Sequence, residues 1–199
     1  MQAVSHTRPD HATWWLAGWL LIRCLLPAQA EVWRGQAEIE FQATSTLHNF
    51  SGTAQTDPFA CRVDRDGTVT VLACTAHVAV AGMDTRHTKR DINMRRMFAA
   101  DRHPAVTGVM DPIRVAPEDL SLPVPIHLTI RERTFTVPST LSDWQQTGTD
   151  LRFDLSLTLS LRLSGLAPPV ILGFIRVGDA VQVRIRVKLE PPLDASLQD

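Results

Sequence analysis

The 199-residue chain has no tyrosine, only three cysteines and no surplus of either charge: 20 Lys and Arg stand against 21 Asp and Glu. That balance removes the broad basic field that nucleic-acid binding requires, so no nucleic acid is expected as a partner. The cysteines form no C-x-x-C pair and have no histidine at ligand spacing, which speaks against the common zinc sites. No serine or cysteine stands at a recognisable nucleophile elbow, and no paired-carboxylate set is evident. No catalytic residue, metal or cofactor is therefore assigned. Long apolar runs are missing beyond the first thirty residues, which excludes a polytopic helical membrane protein. Repeats, low-complexity tracts and inter-domain linkers are missing too, so one domain is expected.

What is present divides near residue 30. Ala12 to Ile22 is almost wholly apolar, Arg8 lies upstream, and Ala28-Gln29-Ala30 precedes the charged Glu31. A basic start, a short apolar stretch and a small-residue site predict a secretory signal peptide at 1–30 and a mature domain at 31–199, periplasmic or secreted. Arg23 would be costly at bilayer depth, and the stretch is short for a span. Asp10 and Arg23 interrupt the signal, so an uncleaved anchor is the alternative. A lipoprotein signal is disfavoured because Arg23, not a small residue, precedes Cys24.

Export changes how Cys61 and Cys74 are read. Two cysteines left in an oxidising compartment point to one disulfide; the alternative is two buried thiols. They flank Asp66-Gly67, a strong hairpin signal. A type I′ turn centred there sets Cys61 opposite Leu72, so a bridge to Cys74 requires a register shift or bulge.

From Glu31 onward the dominant period is two. Leu151, Phe153, Leu155, Leu157, Leu159, Leu161 and Leu163 alternate with polar residues, as do Val181, Val183, Ile185, Val187 and Leu189. Val124 to Ile130 and Ala37 to Ala43 repeat the pattern. Each predicts a strand with one dry and one wet face, hence an antiparallel sheet. Turns are expected at Arg131-Glu132-Arg133, Gly148-Thr149-Asp150 and Gly178-Asp179. A straight strand over Leu151–Leu163 would run ~40 Å at ~3.3 Å per residue. Apolar on one face throughout, such a strand must curl round a core, as a closed barrel allows. One segment differs. Asp84 to Phe98 is polar and helix-compatible, with Asp84 or Thr85 as N-cap and Met94, Met97 and Phe98 as an i, i+3, i+4 patch. About eight strands and one helix across an opening predict an all-β, antiparallel barrel.

The order of motifs strengthens this reading. Ser45-Thr46-Leu47-His48-Asn49-Phe50-Ser51-Gly52 is followed by Val78 and Val80, Met83-Asp84-Thr85, and Lys89-Arg90-Asp91-Ile92-Asn93-Met94. His103-Pro104-Ala105-Val106, Leu128-Thr129-Ile130-Arg131 and Val177-Gly178-Asp179-Ala180-Val181 complete the series. In order and spacing these resemble the YceI-like family, exported proteins with lipocalin-like barrels associated with binding polyisoprenoid chains. The resemblance spans nearly all of 31–190. It implies a binding protein, not an enzyme, whose partner is an apolar lipid such as a polyprenyl or quinone-like chain, with membrane contact at most peripheral. Inward positions expected to line the ligand are Phe41, Val78, Val80, Leu128, Phe153, Leu155, Leu157, Leu159, Val183 and Ile185.

Three constellations bear on chemistry. Asp84 to His103 carries six Arg and Lys against three Asp, a local +3 patch in which Arg86, Arg90 and Arg95 could hold an anionic headgroup. An ordinary solvated helix face is the bland alternative. His87 and Asp91 at i, i+4, with His103 near by, read as a surface pair rather than as a metal site. His48 suits a structural role near the barrel mouth, and His127 alternates outward. Finally, the inward side chains are medium or small with few aromatics, which leaves room for a ligand. The competing reading is a filled barrel acting as an envelope structural or interaction protein.

Overall fold

Ten strands and one helix follow the chain in the computed structural model, which describes residues 30–171 and 175–192. The expected signal segment lies outside the described residues apart from Ala30. The strands are β1 (Glu31–Ser45), β2 (Phe50–Gln55), β3 (Phe59–Asp66), β4 (Val69–Ala79), β5 (Ala105–Val115), β6 (Ser121–Ile130), β7 (Arg133–Thr147), β8 (Asp150–Ser160), β9 (Val170–Ile171) and β10 (Ile175–Glu190). Helix α1 (Thr88–Phe98) sits between β4 and β5. All pairings are antiparallel, and β1 closes the sheet by pairing β10 from Arg34↔Glu190 to Ser45↔Val177. On its other edge β1 pairs β3 over its first half and β2 over its second. β2 and β3 thus share one position in the ring, and β9 only clips the start of β10. The result is an eight-stranded closed barrel with one helix. Closure leaves no long edge exposed for pairing with another chain.

The alternating positions point as the period-two pattern requires. On β1, Trp33, Ala37 and Ala43 are buried while Arg34, Gln36, Glu38 and Glu40 are exposed. The wet faces carry cross-strand ion pairs, among them Arg184 with Asp154 at 2.6 Å and Arg186 with Glu40 at 3.0 Å. Between β5 and β6 the ladder is short, Thr107–Met110 against Ile126–Thr129. Beyond it Pro112, Pro123 and Pro125 offer no N–H, which explains where the pairing stops.

Four local expectations are corrected. Asp66 pairs Val69, so the β3–β4 loop is Gly67-Thr68, with Gly67 at φ 64, in the first central position where a type II′ turn takes glycine. This moves Cys61 directly opposite Cys74, with no bulge between β3 and β4, and the two are bridged across a Cα–Cα distance of 4.3 Å.

Second, the Leu-rich strand ends at Ser160, not Leu163. The Asp179 carboxylate accepts the Ser160 hydroxyl and the Arg162 N–H, and a turn through Gly165 follows, leaving Leu163 69% exposed. Third, Gly178-Asp179 is no turn between strands. It is an irregularity inside β10, where the register jumps from Ala43↔Val181 to Ser45↔Val177. A Cβ at Gly178 would lie 2.3 Å from the Thr44 hydroxyl, so glycine permits this close approach.

Fourth, the helix begins later than expected, and its N-cap is His87, whose ring accepts the Arg90 N–H. Asp84 and Thr85 are otherwise engaged. Asp84 pairs its backbone with Thr53, in both directions, and its carboxylate takes the Arg86 N–H. Thr85 gives its hydroxyl and N–H to Asp91.

Candidate binding cavity

The barrel is filled at one end only. Near the 67–68 and 148–149 turns, Trp33, Val63, Leu72, Leu141, Leu151 and Leu189 are all 0–2% exposed and pack into a solid floor. At the other end a second cluster holds the helix down: Phe98 on α1 packs with Val80, Ile130, Leu161, Leu166 and Val181. The Met94, Met97 and Phe98 patch expected on the helix faces this interior.

Between floor and helix lies a cavity of about 540 Å³. That size falls within the ~300–1,000 Å³ typical of small-molecule sites. Of the ten expected lining residues, Phe41, Val78, Leu128, Phe153, Leu155, Leu157, Leu159, Val183 and Ile185 border it. Val80 does not; it is fully buried in the cluster beneath the helix. Phe59, Met83, Met94, Met97 and Met110 also border it without having been singled out as lining. Phe59 and Met110 sit in strands whose alternation is weak, so periodicity gave no signal there. Met94 and Met97 had one in the helix patch.

The cavity reaches the surface beside the β1–β2 loop and the helix N-terminus, where Leu47, His48, His87 and Lys89 are exposed and line it. Its polar lining is concentrated there, with Thr85, Arg90 and Asn93. His48 is held by its backbone: the Ser45 hydroxyl donates to its carbonyl at 2.7 Å and accepts its N–H at 3.3 Å.

The three arginines of the basic segment are not brought together. Arg90 alone borders the cavity, lying 4.5 Å over the Phe50 ring, with Nε donating to the Thr85 hydroxyl and Nη2 to the Thr85 carbonyl. Arg86 reaches the Ser51 hydroxyl and Arg95 the Ala81 carbonyl, both outside the lining. His87 and Asp91 do not converge with His103, which lies 3.7 Å from Glu132 instead. Among the described residues no group of three His, Cys, Asp or Glu side chains gathers to hold a metal ion. His127 lies on the outer wall, between Asp111 and Thr136 at 2.9 Å each.

Asp91 organises the mouth. Burial pushes its carboxyl up, but the Thr85 hydroxyl and N–H, together with the Arg95 and Arg90 charges, outweigh that and hold it below the ordinary carboxylate value. A depressed carboxyl stabilises the fold fully above its unfolded-state pKa of about 3.9, and that contribution disappears as pH falls through the lower folded value. Asp91→Asn keeps the acceptor and removes the charge. It should cost roughly 1 kcal/mol at pH 7, the difference between charged and neutral hydrogen bonds. Denaturant midpoints measured down the acid limb should show the gap to wild type closing below pH ~3.9. A gap that stays constant would mean that the carboxylate's charge does not stabilise the mouth.

Fold and cavity together define a class: a closed antiparallel barrel of lipocalin-like build, plugged at one end and opening past a helix at the other. Residues 26–189 match the YceI-like domain, and the chain belongs to that family. No curated protein matches the sequence. Solved structures are similar in fold. BcnA of Burkholderia cenocepacia is 18% identical, with 76% of this chain and 95% of that one covered at a TM-score of 0.62. A polyisoprenoid-binding domain from Saccharophagus degradans is 11% identical, covering 82% and 100% at 0.56. The Campylobacter jejuni YCEI protein is 14% identical, covering 70% and 85% at 0.51.

Proposed function

We propose that this protein is an exported binding protein that holds an extended apolar molecule, a polyprenyl or quinone-like chain, inside its barrel. The observation that carries the reading is the cavity itself: about 540 Å³, mostly apolar along its length, closed by a packed floor and with its polar lining concentrated at its mouth. Such a shape suits a ligand with a long apolar tail and a small polar head. Burying the tail is favourable by about 0.8 kcal/mol per CH₂. The family and the polyisoprenoid-binding neighbour support the same ligand class.

In this proposal Phe41, Val78, Leu128, Phe153, Leu155, Leu157, Leu159, Val183 and Ile185 contact the tail. The head lies at Arg90, with His48, Thr85 and Asn93 around it. Arg86 and Arg95 act from outside the cavity, as charge near the mouth. Binding without turnover, in the periplasm or outside the cell after loss of residues 1–30, completes the reading. The Cys61–Cys74 bridge supports an oxidising compartment.

The test is organic extraction of the protein purified from its exporting cells, followed by mass spectrometry. A co-purifying prenyl lipid is expected, on a chain whose intact mass starts at or near Glu31. A clean extract, with no uptake of added prenyl alcohol, would overturn the carrier reading.

A further inference from the structure

We infer that the mouth end of the barrel is a docking face for an anionic lipid bilayer. The chain's charge is near zero overall but is sorted along the barrel axis. The described segments that build the mouth end, 46–49, 80–104, 131–133, 161–171 and 175–179, carry ten Lys and Arg against five Asp and Glu, a net +5. The remainder of 31–192 carries eight against thirteen, a net -5.

The mouth cations also make few direct ion pairs. Among the described residues only Arg162 of the ten lies within 4.0 Å of a carboxylate, at 3.9 Å from Asp179. On the outer wall, by contrast, Arg184, Arg186 and Lys188 each hold one at 3.0 Å or less.

Apolar side chains accompany the charge. Of the six large apolar residues exposed among those described, Leu47, Ile92, Leu163 and Val170 stand at the mouth end. Leu163 is there because β8 stops at Ser160, and Val170 because β9 clips onto β10 beside the β1–β2 loop, where Thr46 bonds Arg176. Leu47 is at once 62% exposed and part of the cavity lining, so the apolar rim runs into the apolar interior.

An anionic bilayer offers what this face complements: negative headgroups for unpaired Arg and Lys, and acyl chains just beneath for the leucines. An acidic soluble protein would match the charge but not an open apolar cavity at its centre. Docked in this way, the barrel would receive an apolar molecule from the bilayer, or return it, with little exposure to water. The inference does not depend on which molecule fills the cavity.

The experiment is cosedimentation of the mature protein with vesicles of phosphatidylcholine alone and of an equal mixture with phosphatidylglycerol, without any prenyl lipid. Binding to the mixed vesicles is expected, and should collapse between ~0.1 M and ~1 M salt, where the Debye length falls from ~10 Å to ~3 Å. The double variant Arg96→Glu with Arg102→Glu, both exposed and outside the cavity lining, should weaken it about thirtyfold or more, since each such cation near a membrane contributes roughly fivefold. Leu47→Asp with Leu163→Asp should weaken it as well, whereas Leu120→Asp, exposed at the closed end, should not. Each substitution falls on an exposed side chain, and an unchanged near-ultraviolet spectrum would show that the fold is kept. Equal binding to both vesicle types, equal loss at Leu120, or no loss at the rim would overturn the inference. So would self-association that Leu163→Asp abolishes without any vesicle binding.

Discussion

Leu157→Trp should abolish lipid binding while leaving the protein as stable as the wild type, or slightly more so. Leu157 lies mid-strand on β8, paired with Val183 of β10 and Ser139 of β7, and its side chain borders the cavity between floor and mouth. An indole there projects into empty volume that a bound tail would have to cross. In a filled barrel the same change would overpack the core, at a typical cost of 1–3 kcal/mol. The two readings of the barrel therefore predict opposite results. Denaturation midpoints, paired with mass spectrometry of the extracted ligand, separate them. Lost stability with no lipid to lose in either protein would favour the filled-barrel, interaction-protein reading.

Reduction of the Cys61–Cys74 bridge should lower stability by about 2–4 kcal/mol, the range for closing a loop of this length. The cysteines are 13 residues apart and join β3 to β4 across the hairpin. Cys61 is fully buried beside Trp33, its register partner on β1, and Cys74 borders the cavity. The bridge thus ties the floor to the lower cavity wall. Chemical denaturation with and without reductant measures the effect, and Cys61→Ala with Cys74→Ala checks that it belongs to this bond. The unfolded, unreduced protein of residues 31–199, which lacks Cys24, should show no free thiol. Two reactive thiols under those conditions would remove the disulfide from this account.

Much of the barrel was legible from residue order because its cause is local. Unbroken alternation from Leu151 to Leu159 and from Val181 to Leu189 forces two-faced strands, and strands that long with one dry face must close on themselves. The helix was legible for the same reason: its polarity and its i, i+3, i+4 patch are properties of neighbouring residues. Phe41, Leu128, Phe153, Leu155, Leu157, Leu159, Val183 and Ile185 lie in alternating runs and share the inward face because side chains two apart on a strand do so, whereas Val78 entered through the resemblance.

What escaped depends on contacts between distant segments. Asp66-Gly67 announces a hairpin, but whether the loop is Asp66-Gly67 or Gly67-Thr68 turns on which register packs best against β1 and β5. That one-residue choice set Cys61 opposite Cys74. Leu163 continues the alternation of β8 faultlessly, yet it faces solvent because Asp179, nineteen residues from Ser160, caps the strand end. The start of the helix moved because Asp84 was drawn into pairing with Thr53.

The basic patch shows the same division. Its charge was countable, but only the fold turned Arg90 to the cavity and Arg86 and Arg95 away from it. The inward identity of the side chains was determined by the sequence itself, through a period that no partner is needed to read. Whether those side chains would meet, as in the Trp33–Leu189 floor, or stand apart, as along the cavity wall, was decided only by the tertiary structure. The separation of opposing walls is a sum over eight strands, their stagger and the helix that spans the mouth, and no local stretch of chain contains it.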